Sequence, residues 1–340
     1  MKSDLKWTDR HVLLLFNVDP LWEQAELNNV ARVVEQMKAA LEQECHTVTI
    51  LEAGGLDIED LLTLYDPREH VVFNWCEDLP GIQKGEVVMA EMLEKNKFCY
   101  TGSPPDVLSL SWNKAAVKTL LDRYSVATPS WEVFTSPRVD SWRDFPAIVK
   151  PSFEHCSNGI TTEAVVLTQK ELAERVSYVL DGFQQPALVE NFIDGREFHV
   201  TLWGNGRIEM LPPVEMDFSA FDNIKDRLCT YDSKFVPGSL HYEKINLQIP
   251  AQLDEDNIQQ LELTSKQAYH AIGCRDYARI DLRLQNGTFY VLDVNPNADI
   301  SPDTSLAYAV EAAGLSYGYF ASTLVHLAAQ RHPFPGPMAY

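Results

Sequence analysis

The stretch YARIDLRLQNGTFYVLDVN, residues 277–295, reads as two β-strands joined by a turn, and its faces can be separated residue by residue. From Ala278 to Leu284 the even positions are Ala278, Ile280, Leu282 and Leu284, and the odd ones are Arg279, Asp281 and Arg283. On the returning strand Tyr290, Leu292 and Val294 are mainly apolar, while Asp293 and Asn295 share the other face with Phe289 and Val291. Both apolar faces must meet one core. Directly opposed residues of an antiparallel hairpin point to the same side, so even must face even and the loop must hold an odd number of residues. A three-residue loop, Asn286-Gly287-Thr288, satisfies this and sets Asp281 opposite Asp293 and Arg279 opposite Asn295. A two-residue Asn-Gly turn would send the two carboxylates to opposite faces.

Facing carboxylates repel unless positive charge lies between them. Hard oxygen donors at that spacing suit magnesium, which takes one or two carboxylates together with phosphate oxygens. A solvated hairpin face whose acids pair with Arg279 and Arg283 is the competing account, and the hairpin alone leaves both open. A second cluster bears on the choice. Lys150 ends an apolar run and is followed by Pro151-Ser152-Phe153-Glu154-His155-Cys156-Ser157-Asn158-Gly159, a small polar loop able to close over a phosphate with backbone N–H groups. Lys114 and Lys118 lie four residues apart on one predicted helix, and Lys234 follows Tyr231-Asp232-Ser233. Each lysine taken singly reads as a surface charge.

A chain of 340 residues suits two or three domains. Its 45% hydrophobic and 23% charged content is that of a globular protein. The formal net charge of -21 argues against nucleic acid as a partner, because such binding depends on lysines and arginines displacing counterions. Apolar runs such as Val12 to Phe16 are far shorter than the ~20 residues of a membrane helix. Asp4, Lys6, Asp9 and Arg10 do not suit a signal peptide. The six cysteines, at 45, 76, 99, 156, 229 and 274, form no C-x-x-C pair and suggest neither a zinc site nor a disulfide framework. A cytoplasmic location is the expectation.

The first hundred residues alternate short apolar runs (His11 to Phe16, Thr47 to Leu51, Val71 to Asn74) with a helical pattern from Glu23 to Glu44, which predicts a parallel α/β layer. Leu27, Val30, Val34, Met37 and Leu41 form the helix's apolar stripe. Tyr-Thr-Gly-Ser-Pro-Pro at 100–105 marks a boundary. Beyond it a helix near 113–124 precedes an α+β region: strands at 147–150, 162–167, 187–190 and 197–203, a helix at 170–180, and a turn at Gly204-Asn205-Gly206 leading into 207–211.

Taken in order, these pieces resemble the D-alanine:D-alanine ligase branch of the ATP-grasp enzymes, from about Val71 to Tyr317. Tyr-Thr-Gly-Ser at 100–103, Asn113-Lys114, Val149-Lys150-Pro151-Ser152 with Glu154, Ser157 and Gly159, and Leu188-Val189-Glu190 with Glu197-Phe198 all fall in the family's order. So do Tyr231-Asp232 with Lys234, Gly273-Cys274-Arg275, Arg279-Ile280-Asp281 and Asp293-Val294-Asn295. The resemblance implies an ATP-grasp fold: an N-terminal parallel α/β domain over 1–103, a small central domain over 104–187 and a C-terminal α+β domain over 188–340. It implies a ligase that forms an acyl phosphate from a carboxylate and ATP, joins it to an amine and releases ADP. The implied cofactors are ATP and two magnesium ions, with manganese as a substitute, and the implied assembly is a homodimer. Lys114 and Lys150 would hold the α- and β-phosphates under the 154–159 loop. Glu190 and the backbone near Ile193 would read adenine, and Glu197 the ribose. Lys234 would lie near the γ-phosphate and Arg279 would stabilise the acyl phosphate and the tetrahedral oxyanion. Asp281, Asp293 and Asn295 would bind the metals. The 154–159 loop and the segment 216–238 would act as lids.

The departures from the family lie at the substrate end. The Gly-Gly-x-Ser-x-Glu motif that follows the family's first strand is replaced by Asn17-Val18-Asp19-Pro20, and its His-Gly segment by Asn74-Trp75-Cys76-Glu77-Asp78. Past Asn295, Ala298-Asp299-Ile300 stands for Gly-Met-Thr, ahead of Ser305 and Leu306, whose family counterparts bind a product carboxylate. Asp299 and Asp303 add negative charge there, so the expected amine differs from D-alanine, carrying extra positive charge or lacking a carboxylate. A D-alanine:D-alanine ligase of cell-wall synthesis and a non-catalytic ATP-binding protein are the alternatives.

Overall fold

A computed structural model describes residues 11–54 and 58–332. Asp4, Lys6, Asp9 and Arg10 lie outside them. The N-terminal layer is a parallel sheet of β1 (His11–Asn17), β2 (Val48–Ala53), β3 (His70–Trp75) and β4 (Cys99–Tyr100) in the order β2-β1-β3-β4. The unbroken apolar run of β1 is explained by burial on both faces. Val12, Leu14 and Phe16 enter one core with Val34, Met37 and Leu41 of the helix Gln24–Gln43, and Leu13 and Leu15 enter another with Val87, Ala90 and Leu93. Glu23 and Glu26 start that first helix with reciprocal capping bonds. The helix Tyr317–Ala329 returns to this layer, so Phe320, Leu324 and Ala328 share a core with β1.

The central sheet is antiparallel and holds β5 (Trp131–Phe134), β6 (Ala147–Pro151), β7 (Val165–Val166) and β8 (Ala187–Asn191), ordered β5-β8-β6-β7. The helix Gln169–Phe183 covers it. The strand expected over 162–167 shrinks to Val165–Val166, because Thr162–Ala164 form a 3-10 turn in which the Thr161 hydroxyl bonds the Glu163 carboxylate at 2.6 Å.

The largest sheet contains β9 (Arg196–Trp203), β10 (Glu209–Met210), β11 (Val214–Asp217), β12 (Asn246–Gln248), β13 (Tyr277–Gln285) and β14 (Thr288–Asn295). Its order is β12-β11-β9-β13-β14, with β10 on β9. Ala278, Ile280 and Leu282 pack with Phe198, Val200 and Leu202 beneath the helix Glu255–Ile272.

The β13–β14 hairpin corrects the expected turn. Gln285 pairs with Thr288, which leaves a two-residue turn of Asn286 and Gly287, both left-handed at φ 51° and 76°. That turn alone would separate the carboxylates. A β-bulge at Leu292 restores them: Leu282 pairs with Val291 and Asp281 with Asp293, so one extra residue is absorbed between. Phe289 and Val291, rather than Tyr290 and Leu292, therefore fill the core. Asp281 faces Asp293 and Arg279 faces Asn295, as expected, by a different route.

Gly287 sits where a β-branched residue is strained. Gly287→Val should cost roughly 1–2 kcal/mol in urea unfolding while the Asp281–Asp293 register, held by the bulge, persists. An unchanged unfolding midpoint would argue against the left-handed turn.

Candidate active site

The outward face of β9, β13 and β14 forms the floor of a cleft, and its side chains meet in pairs set by strand register. Asp281 lies beside His199 and Arg283 beside Glu197. Arg279 clasps Asp281 with two hydrogen bonds, Nε to Oδ1 at 2.7 Å and Nη2 to Oδ2 at 3.0 Å. Asn295 Nδ2 donates to Asp281 Oδ2 at 3.1 Å and to the Arg279 carbonyl at 3.2 Å. Asp293 accepts from Lys114 Nζ at 3.2 Å. Burial penalises the charged form of Asp293, but Lys114, Lys150, His155 and Lys118 outweigh it and hold the carboxyl far below its usual range. Asp281 is likewise kept ionised against burial, chiefly by Arg279. Two ionised carboxylates and an amide on adjacent strands make an oxygen-only donor set, which fits magnesium. A softer set lies beside it: donor atoms of Glu197, His199 and Cys229 fall within 4.8 Å of one another.

Beside the strand β6 that leads into the 154–159 loop, the structure assembles a buried triad that sequence reading left incomplete. Glu190, fully buried on β8, lies 2.5 Å from both Lys118 Nζ and Lys150 Nζ. Lys118, read from sequence as a surface charge, is 2% exposed. Its ammonium also donates to Thr128 Oγ1 at 2.7 Å and to the carbonyls of Val291 and Leu292 at 3.1 and 3.0 Å. The bulge thus turns two strand carbonyls onto the lysine. The available signal was its place between Val117 and Leu121, both buried positions of the helix Lys114–Arg123. Burial lowers the proton affinity of Lys118 despite Glu190, whereas in Lys150 the attraction of Glu190 outweighs burial and raises it.

The covering loop is held in a strained form. Cys156 and Ser157 are consecutive left-handed residues at φ 54° and 59°, and Gly159 follows at 74°. A Cβ on Gly159 would come within 2.6 Å of Phe183. Glu154 accepts from Asn158 at 2.7 Å and from Gln185 at 2.8 Å, and the Ser157 hydroxyl donates to the Cys229 carbonyl at 3.3 Å, linking the two expected lids. Although Cys156 is exposed, its thiol is held above its ordinary value, by loss of hydration first, with Lys234 and Arg279 opposing and Glu77 and Asp299 adding to it. Cations and acids therefore meet around this one side chain. Glu77, although its side chain is exposed at the surface, is itself pushed up to about 8, by loss of hydration first and then by Asp299 and Glu86.

The remaining expected residues are placed as follows. Lys234 is exposed on the short helix Asp232–Phe235. Ile193 is buried, and its carbonyl accepts from Arg283 at 2.7 Å. Asp299 is exposed and accepts from Ser301 N at 2.8 Å. Ser305 Oγ bonds His199 Nδ1 at 3.0 Å. The Leu306 side chain lies wholly in the core, leaving only its backbone for a ligand. The Tyr-Thr-Gly-Ser segment acts as a brace: Gly102, at φ 96°, and Ser103 donate through their backbone to Asp276 and Asn297 at 2.8 Å each.

The three-sheet architecture and a cleft carrying paired acids above buried lysines define an ATP-grasp protein. The sequence model described as D-ala D-ala ligase C-terminus matches residues 122–326. An uncharacterized protein of Sinorhizobium fredii, y4sG, is 32% identical over 310 residues, covering 88% of each chain. The D-alanine–D-alanine ligase of Desulforamulus reducens is 27% identical over 298 residues, 83% of this chain and 91% of that one. The crystal structure of D-alanine–D-alanine ligase from Bacillus anthracis complexed with ATP superposes with a TM-score of 0.71 at 17% identity, over 94% of this chain and 97% of that one. The chain belongs to the D-alanine–D-alanine ligase family. It is an ATP-dependent, ADP-forming carboxylate–amine ligase. Among the described residues no helix is long and apolar enough to cross a membrane.

Glu190 gives a stability test. Burial opposes its charge, yet Lys118 and Lys150 hold its proton affinity below the unfolded value. Its contribution is thus present above the ordinary carboxylate range, near about 4.3, and lost as pH falls through the lower folded value. Glu190→Gln should lose roughly 3 kcal/mol at neutral pH, the cost of leaving buried ammonium groups unpaired, and should show a flatter acid limb of stability against pH. An acid limb as steep as the parent's would count against the triad.

Proposed function

We propose that this ligase couples its acyl phosphate to a cationic amine other than D-alanine, in the cytoplasm and as a homodimer. The observation that supports this is a difference in pairing along the cleft: at the phosphate end each acid has a cation beside it, Lys118 and Lys150 on Glu190, Lys114 on Asp293 and Arg279 on Asp281, whereas Glu77, Glu86 and Asp299 lie together at the other, with Glu77 raised by loss of hydration first and then by Asp299 and Glu86. A second substrate bearing a carboxylate would meet repulsion there, whereas an ammonium group would relieve it.

In the proposed reaction a substrate carboxylate oxygen attacks the γ-phosphorus of ATP, and ADP leaves. The amine lone pair then attacks the carbonyl carbon of the acyl phosphate, the tetrahedral intermediate expels phosphate, and the nitrogen gives up a proton. Such chemistry calls for charge neutralisation and alignment rather than a protein nucleophile. Lys114, Lys118 and Lys150 would bind phosphates, with Glu190 orienting the latter two. Ile193 and Glu197 would hold the nucleoside, and Lys234 the γ-phosphate. Arg279 would stabilise the oxyanion. Asp281, Asp293 and Asn295 would hold magnesium, or manganese in its place, which supplies further neutralisation of phosphate charge. Glu154, Ser157 and Gly159 would close over the phosphates with the segment 216–238, excluding water that would hydrolyse the acyl phosphate. Asp299, Ser305 and the backbone of Leu306 would border the amine. The units 1–103, 104–187 and 188–340 would divide this work among substrate, phosphate and metal functions.

The test is ADP release with a panel of amines, with products identified by mass. Diamines and basic amino acids should turn over faster than D-alanine; D-alanyl-D-alanine formed faster than any other product would sink the proposal. Arg279→Gln should lower kcat about 10²-fold, as loss of an oxyanion donor does.

Glu77 predicts a pH dependence. It is neutral below about 8 and charged above it, and a cation binds the charged form. The KM for the amine should therefore fall as pH rises through that value, with release of a proton on binding. Glu77→Gln should abolish this dependence, and an unchanged profile would remove Glu77 from the amine site.

A further inference from the structure

Arg283 stands on the cleft face of β13, two residues past Asp281, yet it is only 2% exposed. A guanidinium is always charged and is costly to bury unless its donors are met. Here Nε donates to Glu197 Oε2 at 2.7 Å, Nη1 to the Ile193 carbonyl at 2.7 Å, and Nη2 to the Arg227 carbonyl. Its Cζ lies 4.6 Å from the ring centre of Phe192 and 5.3 Å from that of Phe218. One side chain thus joins the strand of Arg279 and Asp281 to the loop after β8 and to the segment 216–238. The sequence pattern offered Arg283 as a partner for the hairpin's own acids. Strand register instead places it opposite Glu197 on β9.

We propose that Arg283 governs nucleotide recognition in this chain by fixing Glu197 as an ionised acceptor for a ribose diol, so that ribonucleoside triphosphates are chosen over deoxyribonucleoside triphosphates. This rests on the reading of Glu197 as the ribose carboxylate. Three observations support the step from structure to selection. Glu197 is 6% exposed, and burial alone would favour its neutral form; Arg283, then His199, outweighs that and keeps it ionised. The arginine occupies Oε2; Oε1 lies 3.7 Å from His199 Nε2, the Cys229 thiol stands against the same carboxylate, and the charge of Lys150 reaches it. His199 is in turn held by Ser305 at Nδ1, and the hydrogen bond from Arg283 is the one that orients the carboxylate. An ionised carboxylate can accept from both hydroxyls of a ribose, whereas a deoxyribose offers one fewer donor. Arg283 acts through Glu197 and is a positioning residue.

The experiment compares ATP and 2′-deoxy-ATP as substrates for the full-length enzyme and for Arg283→Met, Arg283→Lys and Glu197→Gln. The parent enzyme should have a KM for ATP about tenfold below that for the deoxy form, the scale of one hydrogen bond to a charged group. Arg283→Met should raise the ATP KM about tenfold, leave the deoxy KM within about twofold and so erase the preference, with kcat little changed. Without its cation the buried Glu197 should protonate more readily, so the ATP KM of Arg283→Met should worsen as pH is lowered from about 8 to about 6 while that of the parent stays flat. Arg283→Lys, which keeps a charge but not the fork, should restore part of the preference; it also serves if the methionine variant does not fold. A purely structural arginine would weaken both nucleotides equally. If Arg283→Met, or Arg283→Lys in its place, retains the parent preference while Glu197→Gln loses it, the proposal for Arg283 fails and the reading of Glu197 stands. If the parent itself does not distinguish the two nucleotides, the ribose reading of Glu197 fails, and the proposal with it.

Discussion

Two ammonium groups and one carboxylate share a site with almost no access to water where Lys118 and Lys150 meet Glu190. One negative charge cannot cancel two positive ones, and the remaining cation is met by Thr128, by the carbonyls of Val291 and Leu292 and by the nearby charge of Asp293. Burying such a cluster disfavours the folded state unless each charge is met, and the surrounding architecture is the means of meeting them. The helix Lys114–Arg123 presents Lys118, β6 ends in Lys150, β8 supplies Glu190, and the bulged β14 turns the carbonyls of Val291 and Leu292 toward Lys118. The same helix brings Lys114 to Asp293, so the buried triad and the acids of the β13–β14 hairpin are joined by one element.

On the cleft floor the order of charges follows from the pleat. Alternate residues of β13 place Arg279, Asp281 and Arg283 in a row, and β9 sets Thr201, His199 and Glu197 beside them. Each acid consequently has a cation next to it, which explains why Asp281 and Glu197 remain ionised although burial opposes it. Beyond Asn295 the compensation ends. Glu77 holds its proton more tightly, through loss of hydration first and then through the negative charges of Asp299 and Glu86. The surroundings change over a few residues, from acids that each have a cation beside them to acids grouped with one another.

Much of this was legible in order but not in detail. Alternation along β13 was enough to put Arg279 and Asp281 on one face, because side-chain direction in a strand has a period of two. The same rule misassigned Tyr290 and Leu292, since a bulge resets the period without leaving a mark in composition. The expected helix over 113–124 was found as Lys114–Arg123, yet its pattern did not reveal that Lys118 is buried. A lysine on the buried side of a helix looks like any other until its partner, 72 positions further along the chain, is seen beside it.

The sequence by itself determined the parallel N-terminal layer, the family, and the identity of the donors on the β13–β14 hairpin, all of which depend on local period or on ordered motifs. Only the tertiary structure decided how those donors are poised. It drew Arg283 to Glu197 instead of the hairpin acids, enclosed Glu190 between two lysines, withdrew Leu306 into the core and gathered Glu77 and Asp299 at one end of the cleft. Charge interactions inside a protein depend on distance and burial, and both are set by strand pairing and layer packing between residues far apart in sequence.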